Sequence, residues 1–316
     1  MLPYEFTPLL LSKYSDLETS SEIIRTCRKI HEHFSNHENI LISVSGGSDS
    51  DCIVHLVCTY FPEFLYKCNF VFINTGLEFQ ATKNHINDIK EKYKIEIEEI
   101  RGKSVVWAVK KYGIPFLNKS RSKSLSMYLR GTPKGHYLVF EANGTYYRFS
   151  DNERRLALYL KEKGIMVSSK CCDISKKKPA HDYMKKNKID LNVTGERKAE
   201  GGVRATAYSS CFHEYGNGEP NKFMPLYRWT DDVKAEFKRI EGFSYSDCYE
   251  VYGMKRTGCT GCPFGKDTYK ELEIMSIYEP QLYKACINVF GESYRLTDLF
   301  ECRKHKKYFH KSEKTT

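Results

Sequence analysis

The sequence predicts an α/β fold: a doubly wound, mostly parallel sheet with helices on both faces, Rossmann-like in plan. A small β-hairpin and helix insertion and a helical, cysteine-bearing C-terminal region are added to it. Three observations carry this. The apolar run Ile40 to Val44 leads into Ser45-Gly46-Gly47-Ser48-Asp49-Ser50, after which Cys52, Ile53, Leu56, Val57 and Tyr60 recur at helical spacing. Phe70-Val71-Phe72-Ile73-Asn74 is a second apolar run, as a strand covered on both faces requires. Helix-patterned stretches separate the strand candidates, and that alternation implies parallel pairing.

Residues 15–36 read as the first helix, with Ile23, Ile24, Cys27, Ile30 and Phe34 on one face. Strand 40–44, the Ser/Gly loop and a helix over 50–61 follow. Strand 70–74 ends in Thr75-Gly76-Leu77-Glu78, and a helix over about 80–93 leads to a strand over 95–100. Ligands of such sheets bind at the carboxyl ends of the strands, where the Ser/Gly loop and the Asn74–Glu78 loop both fall. Residues 104–131 read as two short helices around Gly113-Ile114-Pro115-Phe116. His136–Phe140 and Thr145–Phe149, joined across Asn143-Gly144, have the pattern of a β-hairpin, with a charged helix over about 151–163 after it. Ile189–Thr194 alternates apolar and polar residues as a further strand. The domain expectation is an α/β nucleotide-binding domain over 1–131 and 169–240, an insertion over 132–168, and a C-terminal region over 241–316 with a basic tail.

The Ser/Gly loop suits phosphate. Glycines let backbone N–H groups close on an anion, and the helix start adds positive partial charge. Ser45, Ser48 and Ser50 add hydroxyl donors, and the Gly-Lys-Ser/Thr ending of a Walker A loop is absent. Asp49 suits magnesium coordination or bracing of the loop, with a local helix cap as the plainer role. The loop resembles the SGGxDS pyrophosphate loop of the N-type ATP pyrophosphatases. That resemblance implies that Ser45, Gly46, Gly47, Ser48, Asp49 and Ser50 hold the pyrophosphate part of ATP, with Mg2+, while AMP is passed to a substrate.

Twelve cysteines, with no apolar leader at the N-terminus, argue for metal or thiol chemistry rather than disulfides. Cys27, Cys52, Cys58 and Cys286 lie on apolar-periodic segments and read as small core residues. Cys171-Cys172 and Cys259-Thr260-Gly261-Cys262 differ. A C-x-x-C turn flanked by Gly258, Gly261 and Pro263 is a metal knuckle, and soft thiolates suit zinc or an iron–sulfur cluster. The adjacent pair favours the cluster, because neighbouring side chains reach two corners of a cube more easily than two vertices of one zinc tetrahedron. A redox dithiol, or a buried pair unrelated to the C-x-x-C, is the alternative.

Several short motifs now fall in order. They are the Ser/Gly loop, Asn74-Thr75-Gly76-Leu77-Glu78, Tyr112-Gly113-Ile114-Pro115 with Lys119, and Cys171-Cys172 with Lys176 to Lys178. Gly195-Glu196-Arg197 with Glu200 and Arg204, Pro225-Leu226 with Trp229-Thr230, and Thr257 to Cys262 complete the series. Over residues 38–265, insertion aside, this series resembles the phosphoadenosine-phosphosulfate reductase family in its broad sense. That group is adenine nucleotide alpha-hydrolase-like. It includes sulfonucleotide reductases and sulfurtransferase-like subunits of DNA phosphorothioation systems. The resemblance implies a [4Fe–4S] cluster (or zinc) on Cys171, Cys172, Cys259 and Cys262 beside the nucleotide pocket. It implies that Asn74, Thr75, Gly76 and Glu78 line the adenosine side, with Gly195 also at the nucleotide. Arg197 and Arg204 would contact substrate phosphate or sulfate, two parallel donors suiting a tetrahedral oxyanion, and Lys119 joins the catalytic set. Surface ion pairs with Glu196 and Glu200 are the plainer role for the two arginines. Thioredoxin-dependent members end in Glu-Cys-Gly-x-His, whose cysteine attacks sulfur. This chain has Glu301-Cys302-Arg303-Lys304-His305, with arginine in place of glycine, and its basic surroundings favour the Cys302 thiolate.

The leading functional expectation is an ATP-pyrophosphatase-type enzyme of sulfur transfer that adenylates an acceptor next to a Cys-ligated centre, drawing on a sulfur donor. The first alternative is a sulfonucleotide reductase using Cys302 and a thioredoxin-like partner. The second is a non-catalytic nucleotide- or nucleic-acid-binding subunit. The formal net charge of +10, with basic runs at Lys119–Lys123, Lys176–Lys178 and Arg303–Lys314, suits an adenine nucleotide or nucleic-acid partner, although solvated surface is the plainer reading of those runs. No apolar run approaches the roughly 20 residues that a membrane helix needs. A cytoplasmic protein without a membrane partner is expected.

Overall fold

The structure is a computed structural model describing residues 6–14, 16–142, 144, 148–201, 206–265 and 267–302. Asn143 and 145–147 of the expected hairpin, Arg204, and the tail from Arg303, with His305, lie outside the described residues.

Helix α1 (Phe6–Lys13) precedes α2 (Leu17–Ser35), which starts where the Asp16 carboxylate accepts the Thr19 N–H. Ile23, Cys27, Ile30 and Phe34 form its buried stripe. Strand β1 (Ile40–Ser43), α3 (Ser48–Tyr60), β2 (Cys68–Asn74), α4 (Gln80–Tyr93) and β3 (Ile97–Arg101) follow as the alternation predicts. Next come α5 (Val105–Tyr112), α6 (Lys119–Leu129), α7 (Asp151–Glu162) and α8 (Lys178–Lys186). The chain then runs through β4 (Leu191–Val193), β5 (Phe212–His213), β6 (Asn221–Phe223), α9 (Asp231–Glu241), α10 (Thr268–Tyr278) and α11 (Pro280–Leu299).

The sheet order is β3-β2-β1-β4-β6-β5. Strand β1 pairs in parallel with β2, Ile40 opposite Cys68, and with β4, Ile40 opposite Leu191. Strand β4 pairs in parallel with β6, and β5 runs antiparallel to β6 on its outer edge. Strand order runs outward from β1 through β2 and β3, then restarts on the other side at β4. The switch point therefore lies between β1 and β4, where sheets of this kind open a crevice at their carboxyl ends. No helix among the described residues is long and apolar enough to cross a membrane.

The chain divides into two compact units. The first comprises Met1–Ile73, Gln80–Ile100 and Ala180–Thr257 and holds the sheet. Its core gathers Phe34, Ile42, Leu56, Phe61, Trp229 and Phe237, and the Trp229 indole N–H is satisfied by the Thr26 hydroxyl at 2.9 Å. The second unit comprises Asn74–Phe79, Arg101–Pro179 and Gly258–Thr316. In it, Phe116, Leu125, Leu156, Leu160 and Leu296 share one cluster with Val139, so segment 132–168 packs into the same core as α6 and α11.

The hairpin expectation is corrected here. Pro133–His136 is a helical turn, capped where the Thr132 hydroxyl accepts the Gly135 N–H at 3.1 Å, and Tyr137–Glu141 continues it as a wider helical turn. Pro133 suits the first helical position, where no N–H is needed. Gly135 lies flush on α6: a Cβ there would stand 2.2 Å from the Tyr128 nitrogen. That close seat places Val139, 1% exposed, in the cluster, and burial outweighs the β-propensity of Leu138-Val139-Phe140.

Candidate functional site

In the first unit, the loop from β1 to α3 is held open by its glycines. Gly46 has φ +65°, and a Cβ there would stand 2.7 Å from the Thr82 methyl group. Gly47 is the N-cap of α3 and offers no side chain to the first-turn N–H groups, which leaves an anion-attracting helix start uncapped. The Ser50 hydroxyl donates to the Gly47 carbonyl at 2.7 Å and stands 3.1 Å from the Ser45 hydroxyl, fixing the loop's curvature. From the neighbouring switch-point strand, Gly195 approaches so closely that a Cβ would lie 3.1 Å from Asp49 Cβ and 3.2 Å from the Ser50 nitrogen.

Asp49 is neutralised within the protein. Its Oδ1 accepts Arg197 Nε–H at 2.8 Å and Lys234 Nζ–H at 2.9 Å, and the same lysine reaches the Ser48 hydroxyl at 2.9 Å. The Arg197 fork is fully engaged, with its other two nitrogens on the Trp229 carbonyl at 3.1 Å and the Asp231 carboxylate at 2.8 Å. Arg197 is 4% exposed, and its partners are Asp49 and Asp231 rather than the surface pairing with Glu196 and Glu200. Burial alone would depress its pKa, but Asp49 and Asp231 more than restore the charge.

Two groups here escape sequence reasoning. Lys234 sits at the first turn of α9, behind the Thr230 cap, and nothing in the linear pattern aims it at residue 48. Asp51 is buried under the loop and accepts from His85 of α4 at 2.8 Å. Burial pushes the Asp51 carboxyl pKa up; burial would lower that of His85, yet the facing carboxylate raises it.

In the second unit, the turn after β2 is internally bonded. The Asn74 side-chain oxygen accepts the Gly76 N–H at 2.8 Å, with Gly76 at φ +88°, and Thr75 Oγ1 donates to Glu78 at 2.7 Å. The Val105 N–H bonds the Thr75 carbonyl and the Thr260 N–H bonds the Leu77 carbonyl. This ties the turn to the C-x-x-C segment, where Cys259 Sγ lies 3.8 Å from Thr75 Oγ1. Cys171, Cys172, Cys259 and Cys262 all belong to this unit. Their electrostatic environments overlap: Cys262 acts on Cys171, and both Cys172 and Cys259 act on Cys262. The pair titrates unequally. The hydrogen bond from Cys171, with Lys119 and Lys176 nearby, pulls Cys172 down to about 6 against its burial, while Cys171 moves up. Burial raises Cys259 and pushes Cys262 up to about 12. Half-buried Lys176 keeps its charge through Cys259 and Glu78. Among the described residues no three His, Cys, Asp or Glu side chains meet around one point as ligands of a single ion.

Cys302 follows α11. Its N–H bonds the Thr297 carbonyl at 3.0 Å, its Sγ lies 3.7 Å from the Phe300 carbonyl, and it packs on the cluster containing Phe116 and Leu296. Arg303, Lys304 and His305 of its expected motif, like Arg204, lie outside the described residues.

Two curated relatives are uncharacterised proteins of Methanocaldococcus jannaschii. One is 27% identical over 227 residues and the other 22% over 247. These alignments cover 71% and 78% of this chain but only 36% and 46% of the relatives, so the chain spans less than half their length. Among solved structures, similarity extends to a phosphoadenylyl-sulfate reductase from Candida auris in a phosphate complex (14% identity, TM-score 0.45, 74% of this chain and 87% of that one). It extends also to an FMN adenylyltransferase from Candida glabrata (13%, 0.46, 82% and 69%). A third is the U34-tRNA thiolase NcsA from Methanococcus maripaludis with its [4Fe–4S] cluster (14%, 0.41, 90% and 81%). A family model, the phosphoadenosine phosphosulfate reductase domain, matches residues 39–126 and 144–264, which include the Ser/Gly loop, both cysteine pairs and Arg197. With well over half of its length matched, the chain belongs to the phosphoadenosine phosphosulfate reductase domain family.

Proposed function

We propose that the chain is an ATP-dependent enzyme of sulfur transfer that binds the pyrophosphate part of ATP on the β1–α3 loop and passes AMP to an acceptor. The observation that carries this reading is the uncapped start of α3, ringed by Ser45, Ser48 and Ser50 and flanked by the Lys234 ammonium. In the proposed step an acceptor oxygen attacks the α-phosphorus, the bond to the bridging oxygen breaks, and pyrophosphate leaves with the electron pair. The loop N–H groups and Lys234 take up the charge that develops on it. A sulfur nucleophile from a separate donor, of the sulfide or persulfide class, then forms a bond to the acceptor as AMP departs with the acceptor's oxygen. In this reading Asp49 and Arg197 brace the loop, since each is already matched by protein charges.

The four thiols suit an iron–sulfur cluster. They are soft donors from two segments of one unit, and Lys119 and Lys176 favour the thiolate form of Cys172. When bound, such a cluster supplies thiophilic iron.

The test is calorimetric titration of the full chain, purified without oxygen, with ATP and magnesium, with adenylylsulfate and with phosphoadenosine phosphosulfate. Preference for ATP, followed by pyrophosphate release when an acceptor is supplied, supports the proposal. Preference for a sulfonucleotide overturns it in favour of a reductase, for which Cys302→Ser would abolish sulfite release. Tight ATP binding without turnover across acceptor classes also overturns it, leaving a binding subunit.

A further inference from the structure

A cavity of about 680 Å³ opens in the first unit, away from the loop's own residues. One wall is α2, with Glu22, Arg25 and Lys29; the other includes Lys198, Ser210 and Arg228. Four cationic side chains and one carboxylate line it; Glu22 pairs with Arg25, and Glu32, outside the lining, pairs with Lys29 at 2.7 Å, so the net positive charge of the lining rests on Lys198 and Arg228. No other acidic residue is among those lining the cavity. Arg25 and Lys29 are half-buried, and burial together with the like charge of Arg228 lowers the Arg25 pKa. Lys198 and Arg228 bring two positive charges to a wall that carries no carboxylate among its lining residues, a concentration of charge that an anion would relieve.

The distribution of this charge speaks to the kind of anion. Arg25 and Lys29 are spaced by one helical turn, about 6 Å along α2, and Lys198 and Arg228 stand on the other wall. The cavity is far larger than one phosphate group, and its cations come from three separate segments, α2, the turn at Lys198 and the turn at Arg228. A chain of phosphodiesters matches spaced cations, whereas a single phosphate needs converging ones. The cleft also adjoins the loop's brace through the chain. Lys198 follows Arg197, which holds Asp49, and Arg228 precedes Trp229, whose carbonyl accepts from Arg197.

We propose that this cleft docks the phosphodiester backbone of a single-stranded nucleic acid. The inference deepens the adenylation reading, on which it rests for the strand's role as acceptor; docking itself does not depend on that reading.

The experiment is fluorescence anisotropy of an end-labelled single-stranded oligonucleotide, as DNA and as RNA, titrated with the full chain across a range of KCl concentrations. The wild type is compared with the double variant Lys198→Glu, Arg228→Glu. Both residues are exposed and lie outside the nucleotide loop. The expected result is wild-type binding that weakens steeply with salt. The variant should bind at least about tenfold more weakly, with a log–log slope shallower by about 1 to 1.5, roughly 0.7 for each lost phosphate contact. ATP binding should be unchanged in the variant. If charge reversal prevents folding, Lys198→Gln with Arg228→Gln supplies the same comparison with a smaller change. Equal oligonucleotide affinity of variant and wild type overturns the proposal. So does displacement of the strand by inorganic phosphate at equal phosphate concentration, which would mark a single-anion site. Failure of the wild type to bind the strand while it binds ATP sinks the cleft and leaves adenylation standing. Strand binding with the expected variant loss but no ATP binding supports the cleft and sinks adenylation.

Discussion

Arg197 and Lys234 converge on one oxygen of Asp49, at 2.8 and 2.9 Å, from segments 37 positions apart in the sequence. The carboxylate at the heart of the Ser/Gly loop is thereby fixed from the β4 side by a guanidinium and from α9 by an ammonium. Both cations also bond elsewhere, Arg197 to Asp231 and the Trp229 carbonyl, Lys234 to Ser48. The loop is thus braced before any ligand arrives.

Removing the guanidinium leaves Asp49 with one counter-ion and the Trp229 carbonyl without its donor. Arg197→Met should destabilise the protein by about 3 kcal/mol, the usual cost of breaking a buried ion pair from one side. Arg197→Lys should recover little, because one ammonium cannot meet three acceptors in a fork. Thermal unfolding of the three proteins measures this; an unchanged midpoint in Arg197→Met would show that the brace is not structural.

Lys234 has a different expected signature. Its charge-assisted bonds to Ser48 and Asp49 sit at the rim of the loop, where such a bond contributes about 1.5–3 kcal/mol. Lys234→Met should weaken ATP binding by about 10- to 100-fold. Isothermal titration checks it, and wild-type affinity in the variant would remove Lys234 from the site.

Gly195 gives a steric test. A side chain there meets the backbone of Asp49 and Ser50 at 3.2 Å, and backbone cannot swing aside. Gly195→Val should displace the start of α3 and lose at least about tenfold in ATP affinity, about 1.4 kcal/mol, while the circular dichroism spectrum is retained. Full affinity in this variant would mean that the α3 start is not the binding element.

Acid sensitivity follows from two buried groups. Burial holds the His33 pKa down to about 4 from 6.5, its ring lying 4.2 Å from that of Phe212 between ring centroids. The neutral form is the one folded, so its contribution is complete above pH 6.5 and is lost as pH falls toward 4. Glu241 acts lower. Burial works to raise its pKa, but hydrogen bonds from His55, Lys13, Tyr14 and Tyr60 outweigh that and hold it at about 2. Its folded value lies below the unfolded 4.5, so its contribution is present above pH 4.5 and disappears as pH falls through about 2. Urea titrations across this range should show stability declining in both windows. Glu241→Gln should be less stable at neutral pH and lose the lower window; a variant with the wild-type acid profile would contradict the assignment.

For the thiol set, Cys171→Ser and Cys259→Ser should each abolish bound iron and acid-labile sulfide in anaerobically purified protein. Cys58→Ser, in the other unit, should retain both. Stoichiometric zinc without iron in the wild type would replace the cluster with zinc.

Much of the sheet was legible because its signals are local. A continuous apolar run, a Ser/Gly turn and a 3.6-residue stripe are each contained within about a dozen residues, and β1, α3, β2 and α4 lie where those patterns put them. Segment 133–141 misled for the same reason. Its residues carry β-propensity, but the seat of Gly135 on α6 and the burial of Val139 belong to no local pattern.

The sequence by itself determined the fold class, the family motifs, the phosphate-suited loop and the two cysteine pairs, because glycine freedom, thiol softness and hydrophobic period are properties of residue types and short spacings. Only the tertiary structure decided what Asp49 and Arg197 face, that Lys234 reaches Ser48, that His85 bonds Asp51 beside the loop, and that four cations from three segments line one cleft. Those relationships depend on which strand follows which across the switch point. Electrostatic partners are selected by distance in space, and separation along the chain says almost nothing about that distance once a sheet has crossed over.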